Sequence, residues 1–594
     1  MAPLPPLVRW AALISAIAAV VLAYSYQQQH PLLFADLGDP LPVYCYSSVR
    51  THDSNQPSAE CFSVRDGVFA EVWARDDGDA DAAATAAHVT VAEGHVVPGL
   101  WDGHGHLLQY GEFLHSVDLF GSQSLDEVRR RVKTYLEANP EAGTETHWLR
   151  GVGWDQSAFG RMPTSDDIEQ DEQLRGIFMM LDRIDVHCAW VSQAVLNLLP
   201  AEIPNVPGGE VVRDPGPGVF CDNAMDMITH LWPQPGAEEK ARAVKSAMRE
   251  LNKVGLVGMH DAGVTAETAA LYAELASSSP EWTLRVYGML ECDKRNSFCP
   301  EDAPAMSDVD AKFTLRSVKL FADGALGSWG SAMLDPYADH PWTSGSLLIN
   351  ASALTQVTKS WASKGFQVNI HAIGDLANRN AIDAFQAALE QQCGGEVDER
   401  DGSLLAECQS RHHRFRIEHA QIVHPDDQRR IRALGIIPSI QPTHATSDMK
   451  YAEQRLGPER TSSEAYRMKS LLDVNPVLGS DFPVEPPNPF HGMYAAMTRK
   501  NPQTGLGPDP ETPSQGWHTE ETLSLDEALL GFTRNVAYGA FLEHSAGIIR
   551  RGAFADWVVL DEPLEGMEVE KLRTLKVRET WVGGRRVYSR DEQD

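Results

Sequence analysis

Residues of the types that bind metal ions stand at the ends of apolar, strand-like runs along this chain. In chain order they are His104 and His106, Lys319, His371, His419 and Asp481. Imidazole nitrogens and carboxylate oxygens are ligands that zinc prefers, and a buried lysine can join them when its amine is neutral or carbamylated. Divalent ions held in this way lower the pKa of water towards neutrality, which suits hydrolysis. We therefore predict a metal site with hydrolytic chemistry.

The spacing of the apolar runs indicates the fold that would bring these residues together. Helix-compatible stretches alternate with most of the strand candidates, which is the pattern of parallel βα units. In a (β/α)8 TIM barrel the C-terminal ends of the strands meet in one ring, so ligands far apart in sequence can share a site. The predicted class is therefore α/β, with barrel strands ending near Asp102, His260, Leu290, Phe321, His371, Glu418, Gln441 and Ser480.

Each residue also has a simpler interpretation. A lone histidine at a strand end is more often a hydrogen-bonded core residue than a metal ligand. The pair His104 and His106 is more specific, because residues two apart on a strand face the same way and both imidazoles can bind one cation. The barrel order of the whole set favours the metal site.

Several segments resemble the amidohydrolase superfamily, and within it the YtcJ-like branch, or amidohydrolase family 3, which includes N-substituted formamide deformylases. The resemblance extends over about residues 64–588. The segments that carry it are PGLWDGHGH at 98–106, KLFADGALGSWG at 319–330, HAIGD at 371–375, RIEHAQ at 416–421 and GSDFPV at 479–484.

The resemblance implies two divalent metal ions, Zn²⁺ in most members. His104, His106 and Asp481 would bind one ion, and His371 and His419 the other. Lys319, as a carbamate, would bridge them. Many members have arginine where this chain has Trp329, which bears on the polarity of the substrate pocket.

The predicted reaction is hydrolysis of a non-peptide C–N bond in a small amide or formamide. In this mechanism a metal-activated hydroxide attacks the carbonyl, and Asp481 acts as the proton shuttle to the leaving amine. Two alternatives remain open. One is a mononuclear deaminase or cyclic-ureide hydrolase, and the other is a catalytically inactive surface protein that binds a ligand in the same pocket.

Further residues are predicted to lie near the barrel mouth. The candidates for orienting the imidazoles are Asp323, Asp375 and Glu418, with ordinary strand-end hydrogen bonding as the alternative. The candidates for binding substrate are Trp154, Asp155, His187, Trp329 and His444, with a packing role as the alternative for each.

The chain is predicted to add other parts to the barrel, which spans residues 97–542. The segment 107–252 is too long for a simple βα loop and must hold an inserted subdomain, either a lid or pocket wall or a stabilising excursion. Residues 32–96 and 543–594 carry hairpin-like strand patterns at the two chain ends. In the family these two ends meet in a small β-sandwich.

The amino-terminal segment predicts targeting to a membrane. Residues 9–26 combine an arginine with an uncharged apolar run, which fits a signal anchor or a signal peptide, and residues 1–8 would be cytosolic. The expected localisation is a single-pass membrane protein with a lumenal or extracellular catalytic domain, or a secreted protein if the segment is cleaved.

Charge and cysteine content limit the partners. The formal net charge of −32 argues against nucleic acid, which requires a basic surface. A homo-oligomer remains open. The 8 cysteines lack zinc-ribbon spacing. Three pairs are spaced for local disulfides, although sequence alone does not determine connectivity: Cys45 with Cys61, Cys292 with Cys299, and Cys393 with Cys408.

Overall fold

A parallel β-barrel forms the centre of the protein. The structure is a computed structural model that describes residues 41–75, 88–206, 208–303, 307–309, 311–394 and 403–592. Each barrel strand pairs in parallel with the next along the chain, as the (β/α)8 prediction requires, and that prediction is confirmed. The strands are β1 (Leu100–Gly105), β2 (Leu256–Val264), β3 (Arg285–Leu290), β4 (Phe313–Phe321), β5 (Gln367–Ala372), β6 (Arg416–His419), β7 (Ile437–Ile440) and β8 (Val477–Leu478).

The segment after the short strand β8 closes the barrel against β1. The backbone N–H of Asp481 donates to the carbonyl of His104 at 2.7 Å, and the N–H of His106 donates to the carbonyl of Phe482 at 2.8 Å. Gly105 and Phe482 form a parallel bridge at the same place. The closing contact therefore lies at the predicted ligands themselves.

Amphipathic helices cover the barrel. The helix Ala237–Lys253 shows why they form, since it buries Val244, Met248 and Leu251 at helical spacing against the core. Acidic residues in its first turn and Lys253 in its last turn complement the helix dipole. The other helices that follow barrel strands include Ala266–Ser278, Ala351–Ser363, Asp375–Cys393, Pro425–Leu434, Pro442–Asp448 and Pro489–Thr498.

Shorter helices fill the connections. The α-helices are Leu107–Phe113, Leu125–Ala138, Gln156–Phe159, Ser165–Glu169, Gln193–Leu196, Asp226–Thr229, Ser403–Cys408, Ala452–Leu456, Pro458–Glu464, Leu525–Gly531 and Arg534–Gly539. The 3₁₀ turns are Asn223–Met225, Leu472–Val474, Thr519–Glu521, Val569–Thr574 and Arg590–Glu592, and Gln409–His413 is a π turn.

The long connection after β1 forms a six-stranded sheet with its own hydrophobic core. This sheet lies within the predicted insertion 107–252. It has both parallel and antiparallel pairs. In chain order its strands are Val117–Asp118, Leu149–Trp154, Met179–Arg183, Cys188–Val191, Gly209–Val212 and Val219–Asp222.

Strands from the two chain ends pair with each other in one eight-stranded sheet. The predicted Asp-Gly hairpin is present, with Asp66 and Gly67 both in the left-handed region that a tight hairpin turn requires. Aromatic rings of Phe62, Phe69 and Trp557 pack on one another inside this sheet. Its strands are Pro42–Asp53, Gln56–Arg65, Val68–Trp73, His88–Val91, His95–Pro98, Trp557–Leu560, Val577–Val582 and Arg585–Ser589, and the strand Ser307–Val309 pairs with β4 instead.

The membrane prediction is corrected by the structure. Residues 1–8 and 9–26, on which it rested, lie outside the described residues. Within the ranges given above, no helix has both the length and the apolar composition to cross a bilayer. The single-pass localisation, the signal-anchor assignment and the membrane partner are therefore not supported.

All eight cysteines form disulfides. The three predicted pairs are present, and a fourth joins Cys188 to Cys221 across adjacent strands of the inserted sheet. The fourth pair was missed because its partners are 33 residues apart. Their proximity depends on strand pairing that the spacing of cysteines does not reveal.

Removing the Cys188–Cys221 disulfide is expected to destabilise the protein more than removing the Cys292–Cys299 disulfide. With loops of 33 and 7 residues, chain entropy accounts for about 3–4 and about 2–2.5 kcal/mol. Thermal unfolding of the two double Cys→Ala variants measures the difference. Equal unfolding temperatures would contradict the entropic ranking.

Candidate metal centre

The first ligand group lies where β1 meets the end of β8. His104 Nε2 lies 3.4 Å and His106 Nε2 3.2 Å from the same oxygen, Asp481 Oδ1. Two ligand atoms bound at about 2.05 Å to a tetrahedral zinc ion lie about 3.3 Å apart. The spacing of these side chains therefore matches a tetrahedral cation site.

His371 and His419, at the ends of β5 and β6, lie beside this group. Their ring centroids are 4.4 Å apart, and His419 lies 4.8 Å from the His104 ring. The backbone φ angles of His419 and Asp481 are +75° and +61°. Non-glycine residues held in this region cluster at functional sites, where the surrounding structure compensates the strain.

Lys319 reaches the same space from β4. It is 3% exposed, and its Nζ lies 3.4 Å from His104 Nε2. Burial lowers the pKa of Lys319 below its ordinary value. This burial favours the neutral amine, which is the form that carbamylation requires.

The donor set fits divalent metal ions. Asp481 Oδ1 and His371 Nε2 are buried without a hydrogen-bond partner, as atoms reserved for a cation would be. Burial lowers the pKa of His104 to about 4 and those of His371 and His419 well below 6.5, which keeps the imidazoles neutral. Burial alone would raise the pKa of Asp481, but His104 and His106 hold it well below its ordinary value.

Glu418 orients His104 through a buried network. Its Oε2 lies 2.5 Å from His104 Nδ1 and accepts a hydrogen bond from Arg416 Nη2 at 3.1 Å. This contact leaves His104 Nε2 free to face the metal position. Gln441 plays the matching part for His419, with Oε1 2.9 Å from Nδ1. Sequence reasoning missed Arg416, although it lies two residues before Glu418 and therefore faces the same way on β6.

Of the other two predicted orienting residues, Asp323 lies near an imidazole and Asp375 contacts a loop. Asp323 Oδ1 lies 3.7 Å from His371 Nε2, and its carboxylate accepts backbone N–H groups of the loop after β5. Burial raises the pKa of Asp323 to about 7. Asp375 accepts the N–H of Leu334 at 2.7 Å, so its hydrogen bond goes to a loop and not to an imidazole.

A cavity of about 2000 Å³ opens above the ligands. Of the predicted substrate-binding residues, Asp155, His187 and His444 line it. Asp155 also caps the helix Gln156–Phe159. Residues of the inserted segment, including Asp155, His187 and Asp222, line one side of the cavity.

The structure places both predicted tryptophans away from the cavity wall. Trp154 is fully buried in the core of the inserted sheet and donates to the carbonyl of Leu181 at 2.7 Å. Trp329 packs against the guanidinium of Arg455 at 3.8 Å and donates to Asp339. Both were selected for position along the chain, but the direction of each side chain is set by local packing.

The insertion also supplies cavity residues that were not predicted, namely Asp222, Arg183 and Asp185. His187 Nδ1 lies 2.8 Å from Asp222 Oδ1, on the last strand of the inserted sheet. Burial alone would lower the pKa of His187, but Asp222 raises it above its ordinary value. Arg183 and Asp185 form an ion pair on the same wall. No periodic pattern in the sequence marked Asp222, because strand pairing brings it to His187.

A family model described as the amidohydrolase family matches residues 92–588. The chain belongs to this family. Among curated relatives, the protein LONG AFTER FAR-RED 3 of Arabidopsis thaliana is 29% identical, over 91% of this chain and 90% of its own length. The putative amidohydrolase YtcJ of Bacillus subtilis is 26% identical, over 83% and 89%. The N-substituted formamide deformylase of Arthrobacter pascens is 26% identical, over 92% and 97%.

These relatives confirm the resemblance to the YtcJ-like branch that the sequence motifs indicated. The amidohydrolase also shares its fold with an uncharacterized metal-dependent hydrolase from Pyrococcus horikoshii, at a TM-score of 0.70 and 23% identity, over 89% of this chain and 99% of that one. Family membership makes this protein an amidohydrolase.

Proposed function

We propose that this amidohydrolase hydrolyses a non-peptide C–N bond in a small amide or formamide, with two divalent ions bound at the barrel rim. The observation that carries the proposal is the approach of His104 and His106 to one oxygen of Asp481, at 3.4 and 3.2 Å. The likeness to an N-substituted formamide deformylase supports the choice of bond.

The bound ions, which we propose are Zn²⁺, would lower the pKa of water and polarise the substrate carbonyl. His104, His106 and Asp481 would hold one ion, His371 and His419 would contribute to the other, and carbamylated Lys319 would bridge them. Glu418 keeps Nε2 of His104 directed at the first position. Asp481, ionised and 7% exposed, would accept a proton from the attacking water and return it to the leaving amine.

A second candidate function uses a single ion, as in a mononuclear deaminase or cyclic-ureide hydrolase. The contact that favours it is the 3.4 Å approach of Lys319 Nζ to His104 Nε2, where an uncarbamylated amine would occupy space near the ligands. Metal stoichiometry separates the two candidates. One tightly bound ion per chain that survives Lys319→Ala would favour the single-ion reaction.

Removing metal from the purified protein is expected to abolish hydrolysis, and adding Zn²⁺ should restore it. The test is a panel of N-substituted formamides, acyl amides, cyclic ureides and carbamates, with metal content measured on the same batch. We expect turnover of formamides or acyl amides and close to two ions per chain. Undiminished activity in a metal-free preparation would overturn the proposal.

A further inference from the structure

A second group of ligand atoms lies on the other side of Asp481. His419, His444 and Asp481 each offer one ligand atom, and these atoms lie within 4.8 Å of one another. His104, His106 and Asp481 meet the same condition. In the part of the chain that the structure describes, His371 belongs to neither group. The geometry therefore brings His444, a predicted substrate-binding residue, into a ligand group with His419 and Asp481.

The two oxygens of Asp481 face the two groups separately. Oδ1 lies near His104 and His106, whereas Oδ2 lies 3.7 Å from His444 Nε2. Two ligand atoms about 120° apart around an ion, at bonds of about 2.1 Å, are separated by about 3.6 Å. The distance from His444 to Asp481 is thus suitable for two ligands of one ion and too long for a hydrogen bond.

The remaining ring atoms are consistent with this arrangement. His444 Nε2 is buried without a hydrogen-bond partner. His419 uses Nδ1 to contact Gln441, so its Nε2 remains available. The rings of His419 and His444 are nearly parallel, with an interplanar angle of 11° and 5.9 Å between their centroids.

The surroundings of His444 favour a cation. Asp448 lies on the helix that carries His444, and Glu485 lies on the loop after β8. Asp448 accepts a hydrogen bond from Gln421 at 2.9 Å, and Glu485 accepts one from Ser447 at 2.5 Å. Both carboxyl groups line the same cavity. Acidic side chains near His444 therefore suit a position that would hold a cation.

We propose that His444 is a ligand of the second metal ion, together with His419 and Asp481 Oδ2, so that the carboxylate of Asp481 bridges the two ions. The inference rests on the proposed function, because it assumes that two ions bind. In this arrangement Asp481, which follows β8, would bridge the two ions in addition to Lys319 on β4.

The test is metal binding by the full-length chain, measured as metal content and by Co²⁺ titration of metal-free protein. His444→Ala should retain one tightly bound ion and bind the second at least about 10–100-fold more weakly, the loss reported even for residues that only support ligands. The control is His544→Ala. His544 is 86% exposed and does not line the cavity, so this variant should bind two ions as the unmodified protein does.

A second variant distinguishes loss of a metal ligand from misfolding. His444→Glu keeps a metal-binding side chain and should recover part of the second Co²⁺ affinity, with a changed visible absorption spectrum. Two ions bound with unaltered affinity in His444→Ala would overturn the role of His444 and leave the proposed function standing. Absence of bound metal from the unmodified protein would instead overturn the proposed function.

Discussion

Asp481→Asn is expected to lower turnover by about 10³-fold or more while leaving the fold intact. Asparagine keeps the shape of the side chain but cannot accept the proton of the attacking water, and loss of such a group costs about 10²–10⁴-fold. It also removes the negative charge that lies 3.2 Å from His106 Nε2. Because φ at Asp481 is +61°, asparagine is suitable here, since it tolerates the left-handed region.

Asp383→Asn is the control for this substitution. Asp383 carries the same charge on an outer helix, where its side chain is 54% exposed and pairs with Arg430. Its replacement should leave kcat unchanged. If Asp481→Asn kept most of its turnover with full metal content, Asp481 would not be the proton shuttle.

Glu418→Leu is expected to lower the free energy of unfolding by about 3–5 kcal/mol, the usual result of leaving a buried charge unpaired. Arg416 and Glu418 are both 0% exposed and lie 2.9 Å apart between Nε and Oε1. Burial alone would raise the pKa of Glu418, but Arg416 and His104 hold it well below its ordinary value. The substitution leaves the guanidinium in the barrel interior without its counter-charge.

Denaturant unfolding of the metal-free protein measures this effect without a contribution from bound ions. The double variant Arg416→Leu with Glu418→Leu should recover part of the loss, because it removes both buried charges. A Glu418→Leu protein as stable as the unmodified one would show that the remaining partners of Arg416 are sufficient. These are the Gly103 carbonyl, the Ser439 hydroxyl and the His260 ring.

The barrel and its ligand positions could be predicted from sequence because they depend on local patterns. Short apolar runs that end in histidine or aspartate, in alternation with helices, determine which strand ends meet. His104, Lys319 and Asp481 lie together for that reason. The strands end within a few residues of their predicted ends, since each run is bounded by polar or glycine residues.

Other features depend on contacts that no local pattern encodes. Trp154 ends its strand and Asp155 follows it in extended backbone. Neighbouring side chains in extended backbone point to opposite faces, so the tryptophan packs into the inserted sheet and the aspartate faces the cavity. The proximity of Asp222 to His187 requires strand pairing within the insertion. The orientation of His444 towards Asp481 requires the turn that follows β7.

The backbone contact between β1 and the segment after β8 closes the barrel. His104, His106 and Asp481 supply the backbone hydrogen bonds of that contact and also the side chains of the first ligand group. An ion bound there would crosslink the first and last strands of the barrel directly. The bound ion would then hold the barrel closed in addition to its role in the reaction. Metal-free protein should therefore open first between these two strands.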